Sequence, residues 1–334
     1  MANPQYKNLK NTSLSVAVWL AHDSYDHNPD PNTISVTTLI KPIKQIVLGM
    51  RAKKAGVVES REISENTASS MGTAFHDSIE DAWVNNYKTA LAKLGYPQKI
   101  IDRIVVNPTV IKDGDIPVYL ERRSSMKIGG LTVSGKFDFV GEGRVEDFKS
   151  TSTYSYTSGT KDGAFILQGS LYRLLNQDII TRDDMAIQYI FTDWKPTLAL
   201  SDKGYPQSRV LEHKLNLMDV DETHRWAEQK VHQIITLKDV TEDKMPDCTQ
   251  EDLWQSVPKY KYYKNQANAT KPGGRSTKNF DSIIEANIKL ADDNYVGVVV
   301  TVPGEVRACK YCDAFNACKQ KDGLIASGSL KVGK

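Results

Sequence analysis

The sequence predicts a mixed α/β fold, a central sheet flanked by helices, and three observations lead there. Stretches of alternating apolar and polar residues are interleaved with stretches whose apolar residues recur every three to four positions, so strand and helix periods alternate along one chain. At 334 residues, 40% hydrophobic and 25% charged, the chain is long enough for a sizeable core and has an ordinary globular composition. No run approaches the roughly 20 apolar residues that span a bilayer, and MANPQYKNLKNTS lacks the basic-then-apolar pattern of a secretory leader. A cytoplasmic protein without membrane contact is expected.

From the N-terminus, Leu14, Val16, Val18, Trp19 and Leu20 suggest a short helix over Ser13–Tyr25, ended by the turn-rich run HNPDPN. Residues 1–34 read as an N-terminal helical extension. ISVTTLIKPIKQIVLGMR begins as strand and continues as helix, with Pro42 near the helix start, where its missing amide does no harm. A second helix is expected over Gly72–Asn86. Between Asp115 and Thr151, the segments VYLERRSS, LTVSGKFDFV and RVEDFKST, separated by Gly-Gly and GEGR, read as a meander of strands. A helix from Phe165 to Asn176, a strand through MAIQYIFTDW and a long helix from Asp221 to Leu237 follow. A helix near Asp281–Asp292 and the apolar strand YVGVVVTV precede a cysteine-rich end. Residues 35–245 are taken as the core domain, and 246–334 as a basic and cysteine-rich region packed on it.

The chemistry concentrates on one hairpin. If FDFV and RVEDFK pair antiparallel about Gly141–Arg144, Val140 faces Val145 and Asp138 faces Asp147, with their Cβ atoms ~5 Å apart. Alternation puts Lys136, Asp138, Asp147 and Lys149 on one face and Phe137, Phe139 and Phe148 on the other. Two opposed carboxylates repel, and a divalent cation between them relieves this. In phosphodiester hydrolysis such an ion lowers the pKa of a bound water, and a nearby ammonium orients that water or helps to deprotonate it. The bland alternative is a solvated hairpin face. Glu146 is the second choice for the acid, since alternation turns it to the phenylalanine side unless a bulge intervenes.

Two helices flank this hairpin in sequence. GTAFHDSIE sets His76 and Glu80 one turn apart, beside a stripe of Phe75, Ile79 and Ala82, and both could reach a metal. ILQGSLYRLL sets Gln168 and Tyr172 on one face, with Leu167, Leu171, Leu174 and Leu175 as the buried stripe. As isolated pairs, both equally suit the polar edge of an amphipathic helix.

In this order, GTAFHDSIE, GKFDFV, VEDFK and QGSLY resemble the G-x-x-x-H-x-x-x-E, G-x-x-D, (D/E)-x-K and Q-x-x-x-Y motifs of the RecB-like branch of the PD-(D/E)XK nucleases. The resemblance covers roughly Ile34 to Cys318, and stand-alone phage-encoded exonucleases look most similar. It implies a restriction-endonuclease-like core and a Mg²⁺- or Mn²⁺-dependent deoxyribonuclease, serving phage recombination or DNA processing. By likeness, His76, Asp138 and Asp147 would hold the metal, Glu80 would assist, Lys149 would activate water, and Gln168 and Tyr172 would border the DNA. No G-x-x-x-x-G-K-[ST] loop accompanies the motifs, so a helicase, recombinase or annealing partner would be a separate protein.

Cys309, Cys312 and Cys318, spaced C-x₂-C-x₅-C, are compact enough to converge on one centre, and Cys248 is the fourth cysteine of the chain. This resembles the iron–sulfur staple of the RecB-like family and implies a [4Fe-4S] cluster, with Zn²⁺ the alternative and unligated cysteines last. The departure is position: the family places its first cysteine near the counterpart of KPIKQ, where this chain has none. Between Val257 and Phe280 the chain has no acid but carries Lys259, Lys261, Lys264, Lys271, Arg275 and Lys278 among tyrosines, a pattern suited to DNA contact or to a half-exposed strand. The net charge of +2 is too small to decide between them. Rival functions are a non-catalytic DNA-binding or recombination scaffold on the same fold and a metal-cluster interaction module.

Overall fold

In a computed structural model of the protein, the described residues are 5–22, 30–56 and 61–332. The chain divides into two units, Met1–Ile40 with Val58–Gln233 and Lys41–Val57 with Ile234–Lys334. The stretch 41–57, read from sequence with the core, thus groups by its contacts with the C-terminal third.

The first unit contains strands β1 (Thr33–Ser35), β2 (Ile104–Val106), β3 (Ile116–Leu120), β4 (Arg123–Ile128), β5 (Leu131–Lys136), β6 (Phe139–Gly141), β7 (Arg144–Thr151), β8 (Asp184–Phe191) and β9 (Val210–Asn216). A six-stranded mixed sheet runs in the order β9-β8-β7-β6-β3-β2, and a three-stranded sheet in the order β1-β5-β4. Helices α1 (Leu14–Ala21), α2 (Thr67–Asn85) and α3 (Asp162–Leu175) accompany them, so the mixed α/β expectation holds. The last residues of the expected Ser13–Tyr25 helix and part of HNPDPN lie outside the described residues. Among the described residues no helix is long and apolar enough to cross a membrane.

Local chemistry explains the central strands. Glu142 and Gly143 both have positive φ, 49° and 76°, which gives the two-residue turn whose twist matches an antiparallel hairpin. It joins β6 to β7 with Val140 opposite Val145, as the sequence predicts. β7 and β8 pair in parallel, so a crossover must connect them, and α3 lies in that crossover.

One expectation needs correction. VYLERRSS and LTVSGKFDFV are not single strands: the first breaks at Glu121–Arg122 between β3 and β4, the second at Phe137–Asp138 between β5 and β6. The cause is a shared bend. Glu121 takes a left-handed backbone (φ 50°), its amide donates to the Asp138 carbonyl at 3.1 Å, and the Phe137 amide donates to the Arg122 carbonyl at 3.4 Å. Two paired strands therefore turn together from one sheet into the other, and Glu121 and Asp138 stand at the corner.

Along helix α2, Phe75, His76, Ile79, Glu80 and Trp83 are half-buried and Ala82 is exposed, so of the expected apolar stripe only Ala82 falls outside. Trp83 packs on a cluster that includes Leu91, Ile101, Ile104, Val118, Leu120 and Phe139, its ring 5.1 Å from that of Phe139.

The second unit has less regular structure. β10 (Lys259–Tyr263), β11 (Lys278–Phe280) and β12 (Val298–Val302) form an antiparallel sheet in the order β11-β10-β12, accompanied by α4 (Ile283–Asp292). Tyr262 and Tyr263 are buried, and the Tyr262 hydroxyl is held between Asp293 Oδ2 at 2.7 Å and the Val296 carbonyl at 2.6 Å. These two rings are strand core, which removes them from the expected stacking surface. Two small apolar clusters complete the unit, one around Val47, Leu48, Met245 and Ala314 and one around Leu253, Val306 and Leu330.

Candidate active site

The register of β6 and β7 carries the two central acids. Phe139 pairs with Glu146, so one step further along the same ladder Asp138 faces Asp147. The ladder stops there because a side chain takes over: the Phe148 amide donates to Asp138 Oδ2 at 2.8 Å. Both acids are buried, Asp138 8% and Asp147 1% exposed. Glu146 turns to the opposite face, bonded to Arg144 at 2.5 Å and Gln188 at 2.8 Å, as alternation predicts in a strand without a bulge.

Around Asp147, the Lys149 ammonium pairs with its Oδ2. Gln168 Nε2 donates to Asp147 Oδ1 at 3.1 Å and to Tyr172 Oη at 2.9 Å. Gln168 and Tyr172, expected to border DNA, are instead buried and hold Asp147 from behind, because α3 is buried on nearly every side along its C-terminal half. The ring of Tyr172 also explains the glycine of GKFD. A Cβ on Gly135 would stand 3.0 Å from that ring and 2.9 Å from Val36 Cγ2, so only glycine fits without a shift. The glycine of QGSLY has a similar reason, since a Cβ on Gly169 would meet Met185 Sδ at 2.4 Å. Nothing in the structure explains Gly72 of GTAFH, whose Cβ would meet open space.

His76 reaches the same place from α2. Its Nε2 lies 3.1 Å from the Phe148 carbonyl, which can only accept, so the Nε2 proton is donated there. Nδ1 lies 3.5 Å from Asp138 Oδ1 and 3.6 Å from Glu121 Oε1. Ligand atoms of His76, Glu121 and Asp138 all fall within 4.8 Å of one another. Glu121 also pairs with Lys136. Glu80 belongs to the surroundings and is not one of these three; burial and then the like charge of Glu121 raise its pKa.

The electrostatics follow from packing carboxylates together out of water. Burial, and then the charge of Asp147, push the Asp138 carboxyl up to about 7, with His76, Lys149 and the Phe148 amide offsetting part of this. For Lys149, burial works against the charge, but Asp147 and Asp138 outweigh it and hold the ammonium above its ordinary pKa. His76 is likewise opposed by burial and raised on balance by its Glu121 contact and the Asp138 charge. Burial would raise Glu121, but His76 and Lys136 hold it below the usual carboxylate range. A divalent cation here would replace the proton that Asp138 otherwise keeps, and a set of oxygens with one imidazole suits Mg²⁺ or Mn²⁺.

Sequence reasoning missed Glu121. The signal was the hairpin register itself: pairing about Gly129–Gly130 sets Leu120 opposite Phe139 and Arg123 opposite Lys136, so Glu121 falls opposite Asp138.

The second unit gathers the four cysteines. Cys248, Cys309, Cys312 and Cys318 line one cavity together with Lys44 and Gln320. Gln320 clamps Cys248, accepting from its amide and donating to its carbonyl, both at 2.9 Å. Pro42, Lys44 and Gln45 of KPIKQ line the same cavity. Burial, then Asp252 and the other thiols, push Cys248 up to about 12, and burial with Cys312 and Cys318 pushes Cys309 to about 11. Thiols so desolvated favour the neutral form until a cation binds them.

Of the basic residues, Lys264, Lys271, Arg275 and Lys278 are exposed, Lys261 is half-buried, and Lys259 pairs with Asp281. Lys278 lies 5.0 Å from the centre of the Phe280 ring.

No family model matches the sequence, and no curated protein matches it. Among solved structures, SSO0001 is similar at 16% identity over 67% of this chain and 87% of that one, with a TM-score of 0.38. A protein from Eubacterium rectale, provisionally assigned as an exonuclease, is similar at 11% identity over 66% of this chain and 85% of that one, with a TM-score of 0.37. Likeness at this distance carries no functional argument, which rests on the geometry above.

Proposed function

We propose that the protein is a divalent-cation-dependent nuclease that hydrolyses phosphodiester bonds of DNA, acting as an exonuclease in phage recombination or DNA processing. One observation carries the reading: a buried pair of facing aspartates, Asp138 and Asp147, with the Lys149 ammonium and His76 Nδ1 turned onto them. Solvated hairpin decoration does not explain acids kept this dry.

A bound Mg²⁺ or Mn²⁺ would supply a water of lowered pKa and neutralise charge on the phosphate in the transition state. The chain's own residues do the rest. Asp138 would hold the ion through Oδ1, since the Phe148 amide holds Oδ2 in place. His76 presents Nδ1 because its other nitrogen is committed to the Phe148 carbonyl, the usual way a ligating histidine is oriented. Lys149 stays charged, so its contribution is to donate to the attacking water and to the phosphate oxygens rather than to act as the resting base. Asp147 fixes that ammonium, and Gln168 with Tyr172 fixes Asp147.

The cysteine cavity is the proposed seat of a structural [4Fe-4S] cluster bound by Cys248, Cys309, Cys312 and Cys318. The four thiols lining one cavity support a cysteine-bound centre, with Zn²⁺ the alternative. The exposed Lys264, Lys271, Arg275 and Lys278 supply phosphate contacts. A cytoplasmic setting with a separate recombinase, annealing protein or helicase completes the proposal.

The test is incubation of purified protein with end-labelled linear DNA and with closed circular DNA, with Mg²⁺, with Mn²⁺ and with chelator. Cation-dependent loss of the linear substrate with circles spared is expected. No cleavage of either substrate under any cation would overturn the reading.

A further inference from the structure

We infer that Glu121, which lies in none of the four motifs, is a ligand of the divalent cation, whose seat is His76, Glu121 and Asp138. This rests on the nuclease reading and names a ligand that reading leaves open.

The separations fit an ion better than they fit direct contacts. At 3.5 Å and 3.6 Å, His76 Nδ1 is too far from Asp138 Oδ1 and Glu121 Oε1 for a good hydrogen bond. Two donors each about 2.1 Å from one ion, at octahedral to tetrahedral angles, stand roughly 3.0–3.4 Å apart, close to what is seen. Orientation agrees with distance. The Phe148 carbonyl takes the Nε2 proton of His76, which leaves the Nδ1 lone pair facing the two carboxylates.

Glu121 is itself aimed. Lys136 pairs with Oε2, leaving Oε1 on the side of His76. Its left-handed backbone, φ 50°, is a costly state for a residue with a side chain, and the amide bond to the Asp138 carbonyl keeps it there. The backbone of one proposed ligand is thus tied to the backbone of another. Asp147 accepts from Gln168 at Oδ1, while its buried Oδ2, beside the Lys149 ammonium, has no hydrogen-bond partner.

The rival explanation is that Glu121 serves only as counter-charge for Lys136. Titration of Mn²⁺ against the full-length protein, read by the electron paramagnetic resonance signal of free Mn²⁺, separates the two. Glu121→Gln should weaken Mn²⁺ binding at least tenfold, the scale on which metal-site residues act. Glu121→Asp, which keeps the charge on a shorter arm, should lose less and guards against a folding defect in the first variant. Lys136→Met, which removes the group that orients Glu121 but not the ligand itself, should weaken binding clearly less than Glu121→Gln does. Wild-type affinity in both Glu121 variants, or equal losses in Glu121→Gln and Lys136→Met, would overturn the assignment. Failure of the wild-type protein to bind Mn²⁺ at all would instead sink the nuclease reading beneath it.

Discussion

Asp147 stands on the third strand of a six-stranded sheet, whereas Cys309 sits in a single 3-10 turn, and Cys312 and Cys318 each close one. The acids of the first unit are placed by ladders with long sequence reach, and their neighbours are in hand before any ion arrives: Phe148 for Asp138, Gln168 and Lys149 for Asp147, Lys136 for Glu121. The sulfurs of the second unit are placed by short turns between two small apolar clusters. The difference teaches which way construction runs. In the first unit the fold makes the site; in the second, the proposed cluster would make much of the fold.

The largest effect should come from removing a sulfur. Structural metal centres contribute on the order of 10 kcal/mol in small domains, more than two such apolar clusters can replace. Cys309→Ser should therefore lose the bound centre and render residues 234–332 sensitive to limited proteolysis, while the first unit resists. Equal resistance of both units in that variant would erase the contrast.

A smaller effect is expected in the first unit, where ion and fold compete for Asp138. Its carboxyl is raised to about 7 in the folded chain, against about 3.8 unfolded. Between those values the folded state holds the extra proton, so this carboxyl's contribution to metal-free stability is fully present below about pH 4, is lost as pH rises towards 7, and is level above. Asp138→Asn should abolish this slope and melt higher than the wild type at pH 8. Denaturation followed from pH 4 to pH 8 in chelator checks it, and a wild-type stability that rises over this range would contradict the sign.

How much of this was legible in the sequence varies with the range of the interactions. The hairpin register was readable because a two-residue turn and period-two alternation are local, and Val140 does face Val145. The choice of Asp147 over Glu146 followed from the same alternation. Glu121 was within reach of the same local rule, since pairing about Gly129–Gly130 sets it opposite Asp138; the break of both strands at that point hid it. Gln168 and Tyr172 were found as a pair but assigned to the wrong neighbours, since an amphipathic reading of α3 puts polar residues outside and burial puts them against Asp147. Cys248 was proposed by count alone, and its place beside the other three depends on the Gln320 clamp, which no spacing announces.

The account stands on Lys149 doing chemistry, with Asp147 holding it in position, rather than on the pair holding the sheet together. The direct measurement is the rate of DNA hydrolysis in Mg²⁺ by Asp147→Asn and Lys149→Ala, taken beside their circular dichroism. Loss of roughly a hundredfold to a thousandfold in rate with the folded spectrum intact is the predicted result. Hydrolysis at the wild-type rate by either folded variant would contradict it.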